Sequence, residues 1–378
     1  MSDKVLFVSD AHYGLKSGGF DRTPEIHSVM RRIVDTAIDE GVRLFVHGGD
    51  LGHTANPPSY VHGLWIDLFE RLERKQIESR FLLGNHDCVN REGKAFGSLA
   101  PLFELGFEYV KPVVTPSLEV INGVGGCLFI PYSSRANLPG KVTLDEFNNK
   151  FLKEQRAAIK SEPEPGVLAF THLNITGAEI NEDHILRPVS AVIPERLFKM
   201  NVAGIFAGHI HRPQVVRKKA PRVWVVGAPI CTDFGDMLEK RFLMIDASPG
   251  GPIEVESRET GNTPLVQLEF DCLDNPTPDL SFDPEAIEGC GVKVKLRITE
   301  DQSRMIDLAE FQAELARHAS FVRPIVPAIV RRDERNKPVV HSGMTDKEAV
   351  ENFVDARKPT HKEAVLTNAF DALENAGG

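Results

Sequence analysis

The stretch RLFVHGGD, residues 43–50, shows the pattern on which most of the chain is built. An apolar run leads to two glycines and Asp50, and His53 follows three residues later. The run lacks polar alternation, which is typical of a strand buried on both faces. Similar runs recur along the chain: VLFV (5–8), RFLL (80–83), VLAF (167–170), VAGIF (202–206) and VWVV (223–226).

Helical patterns fill the gaps between these runs, for example over residues 25–40 and 61–75. Periodicity alone does not separate a short buried strand from a buried helix segment. The length of the runs, their β-branched residues and the flanking glycines favour strands. The alternation of strands and helices therefore predicts an α/β sandwich.

Five of the runs end in residues of types that bind metal ions. In open α/β sheets, sites form at the carboxyl ends of the strands. A single Asp or His at such an end is more often a cap or a hydrogen-bonded polar group. Five such endings in succession indicate one shared site, formed by Asp10 and His12, Asp50, Asn85 with His86 and Asp87, His172, and His209 with His211.

The residue types indicate the class of metal. Carboxylate, amide and imidazole groups without thiolates suit manganese, iron or zinc rather than a cysteine-rich structural zinc site. The candidate ligands are too many for one ion and suit two: Asp10, His12, Asp50, Asn85, His172, His209 and His211. Asp50 is the natural bridge, because a carboxylate can give one oxygen to each ion. Two ions roughly 3.5–4 Å apart can stabilise the attacking and leaving oxygens at phosphorus.

Two residues beside Asn85 are candidates for catalysis. His86 can give a proton to the leaving oxygen or donate a hydrogen bond to the phosphate in the transition state. Asp87 either orients His86 or closes the loop, and the residues leave both interpretations open. The glycines at 49, 84 and 208 fit tight turns that bring the backbone close to the metals.

The order of the motifs DAHYG, GGD, GNHD, an isolated histidine and GHIH resembles that of the calcineurin-like metallophosphoesterases. The resemblance implies a four-layer α-β-β-α sandwich. It assigns Asp10, His12, Asp50 and His211 to one metal. It assigns Asp50, Asn85, His172 and His209 to the other, and His86 to the transition state.

Further motifs resemble the SbcD-type DNA repair exonucleases, which are related to the nuclease of the MRN complex. They are THLNITGAE (171–179), GHIHRPQ (208–214), the Gly-Ala-Pro turn at 227–229 and DFGDMLEKRFLMID (233–246). The stretch GDLGHTANPPS (49–59) resembles the family form GDLFHxxxPS, with Gly52 in place of a bulky residue, so looser packing beneath His53 is expected. The resemblance implies that His53 helps to place the DNA phosphate and makes Arg212 a second substrate-binding candidate.

The same resemblance implies an activity and its partners. The activity is metal-dependent cleavage of DNA phosphodiesters, at duplex ends as an exonuclease and on single strands or hairpins as an endonuclease. Two divalent ions are expected, with Mn²⁺ first and Mg²⁺, Fe²⁺ or Zn²⁺ as alternatives. The implied partner is an SbcC-type ABC ATPase, and a homodimer is also implied. Because the chain lacks a GxxxxGK[ST] loop, ATP dependence has to come from another subunit.

The sequence predicts three parts: a nuclease domain (1–260), an α+β capping and DNA-binding domain (261–340), and a helical tail (341–378). The tail has two capping boxes, Thr345 with Glu348 and Thr360 with Glu363, each of which opens a helix. Residues 345–376 are the candidate contact for the ATPase, and packing on the catalytic domain is the alternative. A stripe on the second helix suits either a dimer contact or a core face: Val61, Leu64, Trp65 and Leu68.

Charge and composition add two limits. The formal net charge of −10 argues against a sequence-independent nucleic-acid binder. Local basic clusters at 217–222 and 331–337 are solvated surface or, if DNA is the substrate, phosphate contacts. Five cysteines without a CxxC pair, no signal peptide and no membrane-spanning run indicate a cytoplasmic protein, and the resemblance implies a bacterial or phage-infected cell.

Two other functions stay open from the residues. One is a small-substrate phosphodiesterase or a protein phosphatase, which would need neither the capping domain nor the tail. The other is a catalytically reduced DNA-end scaffold for the ATPase, against which the complete ligand set and His86 argue.

Overall fold

The computed structural model of the chain divides it into two compact units, Met1–Val266 with Gly289–Gly291, and Gln267–Glu288 with Val292–Gly378. The predicted domain boundaries at residues 260 and 340 remain predictions. The structure describes residues 3–88, 97–132, 138, 140–181, 184–185, 191–235, 239–248, 251–275, 277–330, 344–357 and 361–376.

Two six-stranded mixed sheets form the first unit. With strands numbered in chain order, the first sheet runs β16 (Glu254–Glu259), β15 (Arg241–Asp246), β1 (Lys4–Val8), β4 (Leu44–His47), β5 (Glu78–Leu82) and β6 (Val110–Val113). The second runs β13 (Gln214–Arg217), β14 (Arg222–Val225), β12 (Val202–Ala207), β9 (Val167–Thr171), β8 (Gly125–Ile130) and β7 (Ser117–Ile121). Two small pairs accompany them, β2 (Lys16–Ser17) with β3 (Phe20–Asp21) and β10 (Glu179–Asn181) with β11 (His184–Ile185).

Parallel pairing brings the ends of the predicted strands to common edges. In the first sheet β1, β4 and β5 pair in parallel, and in the second sheet β9, β12 and β14 do so. The side chains of β1, β4 and β9 are almost all buried, which confirms the prediction of strands covered on both faces. Their carboxyl ends carry the candidate ligands.

Helices cover the outer faces of the two sheets. Those of the first unit are α1 (Thr23–Asp39), α2 (Ser59–Arg74), α3 (Ala100–Leu105), α4 (Leu144–Glu154) and α5 (Arg156–Ser161), with 3₁₀ turns at Gly97–Leu99 and Glu195–Lys199. Apolar side chains of α1 and α2 pack against one face of the first sheet, and those of α4 and α5 against one face of the second.

A third apolar cluster lies between the sheets. Phe7 from the first sheet contacts Phe170 and Phe206 from the second, with ring centroids 5.5 and 6.1 Å apart. Three apolar layers thus separate four layers of secondary structure, which confirms the α-β-β-α sandwich. The candidate dimer stripe is a core face, because Val61, Trp65 and Leu68 are fully or almost fully buried in the cluster beneath α2.

The second unit is a small α+β arrangement followed by two helices. Its strands are β17 (Leu265–Asp271), β18 (Gly291–Thr299), β19 (Phe321–Val322) and β20 (Ala328–Val330), and its helices are α6 (Pro284–Ile287), α7 (Glu300–Ser303), α8 (Leu308–Leu315), α9 (Asp346–Arg357) and α10 (Lys362–Ala376). The strands β19 and β20 are separated by Pro324 and Pro327, which have no N–H for the sheet.

The tail forms the two predicted helices, which pack against each other. Thr345 and Glu348 form the predicted capping box before α9, with both reciprocal hydrogen bonds present. Thr360 of the second box lies outside the described residues. Phe353 and Val365 on these helices are 48% and 40% exposed.

Two further features concern charge and hydropathy. The guanidinium of Arg217 donates to the carbonyls of Lys219 and Pro221, so part of the first basic cluster closes the turn between β13 and β14. This turn precedes β14, whereas the candidate ligands follow the carboxyl ends of the parallel strands, so the turn does not line their site. The second basic cluster, residues 331–337, lies outside the described residues. Among the described helices, none is both long and apolar enough to cross a membrane.

Candidate metal centre

Asp50 occupies the middle of the cluster of candidate ligands. It follows β4, and its side chain is 2% exposed. Oδ2 lies 3.2 Å from His172 Nε2 and 3.9 Å from His12 Nε2, while Oδ1 accepts a hydrogen bond from the His86 backbone N–H at 2.8 Å. The carboxylate therefore stands between histidines of the two sheets, where a bridging ligand is expected.

One group of ligand atoms lies on the His12 side of Asp50. The ligand atoms of Asp10, His12 and His211 all fall within 4.8 Å of one another. The two Nε2 atoms of His12 and His211 are 3.0 Å apart, and His211 Nε2 lies 3.9 Å from Asp10 Oδ1. Together with Asp50, these three residues make up the set that the resemblance assigns to one metal.

A second group lies on the other side. The ligand atoms of Asp50, His172 and His209 also fall within 4.8 Å of one another. Asn85 Oδ1 lies 3.2 Å from His172 Nε2 and 2.8 Å from His209 Nδ1. The structure thus brings together the four residues that the sequence assigns to the other metal.

The contacts between these groups suit cations. Asn174 Oδ1 lies 2.9 Å from His209 Nε2, and a neutral ring with its proton on Nε2 donates to this oxygen. His209 Nδ1 and Asn85 Oδ1 are then two acceptors only 2.8 Å apart. Two facing acceptors repel each other unless a proton or a cation lies between them. The candidate metal ligands are oxygen and imidazole groups without a thiolate, which suits hard or borderline divalent ions.

The protonation of the histidines follows from burial and from Asp50. Burial alone would lower the pKa of His172, but the Asp50 carboxylate raises it to about 9. Burial would raise the pKa of Asp50, and the charge of His172 instead holds it well below its usual range. Burial, with the charge of His172, lowers the pKa of His209 to about 4, which favours the neutral ring that a metal ligand requires.

The backbone at the candidate ligands is strained. Asp10, His12, Asp50 and His209 have φ angles of 59°, 52°, 53° and 74°, in the left-handed region. Non-glycine residues rarely adopt this conformation, and it persists only where the surroundings enforce it, often at functional sites. It turns each side chain off the end of its strand toward Asp50 or its neighbours.

Glycines allow the close approach of these loops. A Cβ at Gly84 would lie 2.1 Å from Asp50 Oδ1, and a Cβ at Gly208 would lie 2.0 Å from Ser9 Oγ and 2.9 Å from Asp10 Oδ2. A Cβ at Gly49 would lie 2.3 Å from His172 Nδ1. At each of the three predicted positions, a side chain would therefore collide with a candidate ligand or its neighbour.

His53 and His86 form a stacked pair beside the first group. Their ring centroids are 5.6 Å apart with an interplanar angle of 21°, and His86 Nδ1 lies 3.0 Å from the His53 carbonyl oxygen. The His12 ring meets the His86 ring edge-on at 4.8 Å. His86 is exposed, so the pair faces solvent next to the candidate ligands.

Asp87 bonds to the backbone of two loops rather than to the His86 ring. Its buried carboxylate accepts hydrogen bonds from the backbone of Leu51 at 3.3 Å, Gly52 at 3.0 Å and Gly84 at 2.9 Å, and from the Ser98 hydroxyl at 2.5 Å. The His86 ring contacts the His53 carbonyl instead. This arrangement favours the loop-closing interpretation.

The packing beneath His53 is tight, contrary to the expectation from Gly52. A Cβ at Gly52 would lie 2.9 Å from the Thr54 carbonyl and 3.4 Å from Trp65. The His53 N–H donates to the Tyr13 carbonyl at 2.9 Å, and Tyr13 N–H donates to the Leu51 carbonyl at 2.9 Å. Trp65 occupies the space that a bulkier residue at position 52 would need.

Arg212, the second substrate-binding candidate, is already paired. Its guanidinium lies 3.4 Å from the carboxylate of Glu179, and its side chain is 23% exposed. It follows His211 directly, so it lies next to the first group. Its role toward a substrate stays a prediction.

Two residues near the ligands were not predicted from the sequence patterns. Asn174 contacts His209, and its position two residues after His172 is the signal that could have identified it. Lys240 is 1% exposed and donates from Nζ to the His211 carbonyl at 3.3 Å. It lies within the DFGDMLEKRFLMID stretch, which carries the resemblance without indicating which side chain matters.

Comparison with known protein families gives one match over most of the first unit. A family model described as calcineurin-like phosphoesterase matches residues 3–213. This span covers more than half of the chain and contains all seven candidate ligands.

Two relatives named as SbcD subunits are similar over longer spans, and one named Mre11 is similar over a shorter span. The SbcD subunit of nuclease SbcCD from Bacillus subtilis is 24% identical over 271 residues, which cover 65% of this chain and 67% of that protein. The corresponding SbcD subunit from Escherichia coli K12 is 24% identical over 286 residues, covering 70% and 69%. DNA double-strand break repair protein Mre11 of Saccharolobus solfataricus is 30% identical over 125 residues, covering 31% and 32%.

Proposed function

The chain belongs to the calcineurin-like phosphoesterase family, and on that premise we propose that it is a metal-dependent nuclease that hydrolyses DNA phosphodiesters. The observation that carries the hydrolase part is the position of Asp50 between two groups of ligand atoms, one on each side. The choice of DNA as substrate draws on the names of the relatives, which are nuclease and DNA repair proteins.

Two divalent ions would be held by the residues of the two groups. Asp10, His12, Asp50 and His211 would hold one, and Asp50, Asn85, His172 and His209 the other, with Mn²⁺ as the expected ion. When bound, the ions supply positive charge for the attacking and leaving oxygens at phosphorus.

His86 acts as the proton donor in this proposal. With Nδ1–H donating to the His53 carbonyl, the ring is fixed in orientation and its Nε2 remains for the substrate. In the imidazolium form Nε2 gives a proton to the leaving oxygen as the phosphodiester breaks. His53, stacked on His86, contacts the phosphate and holds it against this donor.

Asp87 and the glycines hold the loops of the site in position and take no direct part in the reaction. By accepting hydrogen bonds from the 51–52 and 84 backbones, Asp87 joins the loop that carries Asp50 to the loop that carries His86. The distance between the proton donor and the bridging carboxylate is thereby fixed, which matters because small displacements of catalytic groups reduce rates steeply.

We also propose that the tail binds an SbcC-type ATPase and that the complex works in the cytoplasm of a bacterial or phage-infected cell. The exposed Phe353 and Val365 on α9 and α10 offer apolar side chains for such a contact. The SbcCD relatives are named as subunits, which supports an assembly with another chain. A homodimer remains part of the proposal.

The test is digestion of end-labelled hairpin, duplex and single-stranded DNA with Mn²⁺, alone and with an SbcC-type ATPase. Cleavage that is abolished by chelation and by His86→Ala, with metal and DNA binding retained in the variant, is the expected result. If DNA stays intact under all these conditions while bis(p-nitrophenyl) phosphate is hydrolysed, the chain is a small-substrate phosphodiesterase instead. If neither is hydrolysed, the scaffold alternative holds.

A further inference from the structure

The hairpin β2–β3 carries the partly exposed aromatic side chain of Phe20. Gly18 and Gly19 have φ angles of 59° and 87°, as in the two-residue turns with two left-handed positions that close tight hairpins. Ser17 pairs with Phe20 and Lys16 pairs with Asp21. Phe20 is 43% exposed.

The base of this hairpin is held rigidly. The Arg22 side chain is fully buried and donates from Nε to Glu25 at 2.7 Å and from Nη1 to Ser17 Oγ at 3.2 Å. The Arg22 N–H also donates to the Leu15 carbonyl at 3.0 Å, which closes the loop. A buried arginine with several bonds fixes the position of the two strands.

One face of the hairpin is turned toward the His211 loop. Directly opposite residues in an antiparallel pair project to the same face, so Phe20 shares a face with Ser17. Ser17 Oγ donates to the Thr232 carbonyl at 3.0 Å, and the Thr232 hydroxyl lies 3.5 Å from His211 Nδ1. Phe20 therefore lies on the face that adjoins the first group of ligands.

The other face is joined to the segment after His53. Asp21 Oδ2 accepts a hydrogen bond at 2.8 Å from the hydroxyl of Tyr60, in the first turn of α2. That turn follows the loop that carries His53. The hairpin thus stands between the His53 loop and the loop that follows His211, at the rim of the centre.

We propose that Phe20 is a stacking platform for a nucleobase next to the scissile phosphate, an inference that rests on the proposed nuclease function. A chain with a net charge of −10 gains little from general attraction to DNA, and stacking on an aromatic ring needs no charge. Stacking also tolerates any base, because every base has a π-face. The rigid hairpin keeps the ring at one distance from the centre.

The test compares Phe20→Ala, Phe20→Leu and Phe20→Trp on two single-stranded oligonucleotides, one with normal bases and one with abasic residues beside the cleaved bond. Base stacking on an aromatic ring corresponds to a change on the order of 5- to 100-fold. We expect kcat/KM on the normal oligonucleotide to fall by this factor for Ala and Leu and to be retained for Trp. On the abasic oligonucleotide all variants should match the wild type.

Val120→Ala, at a 75% exposed apolar position on β7, is the matched control. Thermal melting and bound-metal stoichiometry should be the same for all variants. Equal losses on both oligonucleotides, or no loss on either, would overturn the platform while leaving the nuclease function intact. A wild-type chain that cleaves neither oligonucleotide would overturn the nuclease function and the platform together.

Discussion

The Nε2 atom of His209 lies 2.9 Å from the side-chain oxygen of Asn174. An amide oxygen only accepts hydrogen bonds, so a neutral His209 ring that donates from Nε2 to Asn174 turns an unprotonated Nδ1 toward Asn85. Partners of this kind set the ring orientation and the tautomer of metal-binding histidines.

Asn174→Ala should therefore weaken metal binding by the second group. A loss of roughly 10- to 100-fold in Mn²⁺ affinity for one of two sites is expected. Calorimetric titration with Mn²⁺ measures both sites, and Asn174→Asp, which keeps an acceptor oxygen, should restore the weaker one. Asn122→Ala, in the exposed turn between β7 and β8, is the control. Identical titrations for Asn174→Ala and the wild type would refute the role.

Gly84→Ala should damage the centre, whereas Gly63→Ala should not. The added Cβ at 84 would lie 2.1 Å from Asp50 Oδ1, but at 63, on the exposed side of α2, nothing lies within 4 Å. Overpacking at 84 should lower the free energy of unfolding by about 1–3 kcal/mol and reduce Mn²⁺ affinity. The helical substitution at 63 should raise the free energy of unfolding by about 0.5–1 kcal/mol. Denaturant titration of both variants checks the difference, and equal effects would count against a steric role for position 84.

Asp87→Ala separates the two interpretations of that residue. If Asp87 closes the loops, the variant leaves several buried donors unpaired, each costing about 1–3 kcal/mol. Denaturation of the metal-free protein should then show a loss of about 3 kcal/mol or more. Ser98→Ala, which removes only one of the contacts, should show a smaller loss. A variant of unchanged stability with reduced activity would instead support an orienting role toward His86.

His53→Ala should keep both metals and lower duplex-end digestion more than single-strand nicking. Its ring stacks on His86 and its ligand atom lies within 4.8 Å of those of His12 and His86, but the resemblance places His53 in neither of the two metal sets. A loss on the order of 100-fold at duplex ends matches removal of one group that contacts the phosphate. His62→Ala, on α2, provides a histidine control. Equal losses of both activities would indicate that His53 has a structural role only.

Glu40→Gln should reduce the change in the free energy of unfolding with pH in the acidic range. Hydrogen bonds from Arg258 and Lys4 lower the pKa of Glu40 below its ordinary value of 4.5. A depressed carboxyl pKa adds stability above the unfolded pKa, and the contribution disappears as the pH falls through the folded pKa. Denaturation should show a wild-type advantage of about 0.5–1 kcal/mol at pH 7 that decreases as the pH falls below 4.5 and through the lowered pKa. Exposed Glu104→Gln should show no such pH-dependent difference.

The grouping of the ligands from the first sheet was predictable because it depends on strand order. Residues that follow parallel strands reach the same edge of a sheet, so Asp10, Asp50 and Asn85 become neighbours once β1, β4 and β5 pair. The apolar runs indicate these strands directly. The approach of His172, His209 and His211 from the second sheet depends on how the two sheets pack and was expected only from the resemblance.

The supporting contacts were not predictable in the same way. The loop at Asn174 is closed by hydrogen bonds with residues 191 and 193, and Asp87 bonds to backbone 35 and 36 residues earlier in the chain. Such contacts follow from how loops pack after the sheets form. The Gly52 expectation failed for the same reason, because Trp65 fills the space from a different element.

The left-handed backbone at Asp10, His12, Asp50 and His209 sets a direction for the evolution of this chain. Each such residue costs the fold on the order of 1–3 kcal/mol, which glycine would largely relieve. If a duplicated gene no longer had to encode an active enzyme, its protein would gain thermostability by replacing these four residues. Glycines at these four positions in an inactive relative would then indicate that it lost metal binding in this way.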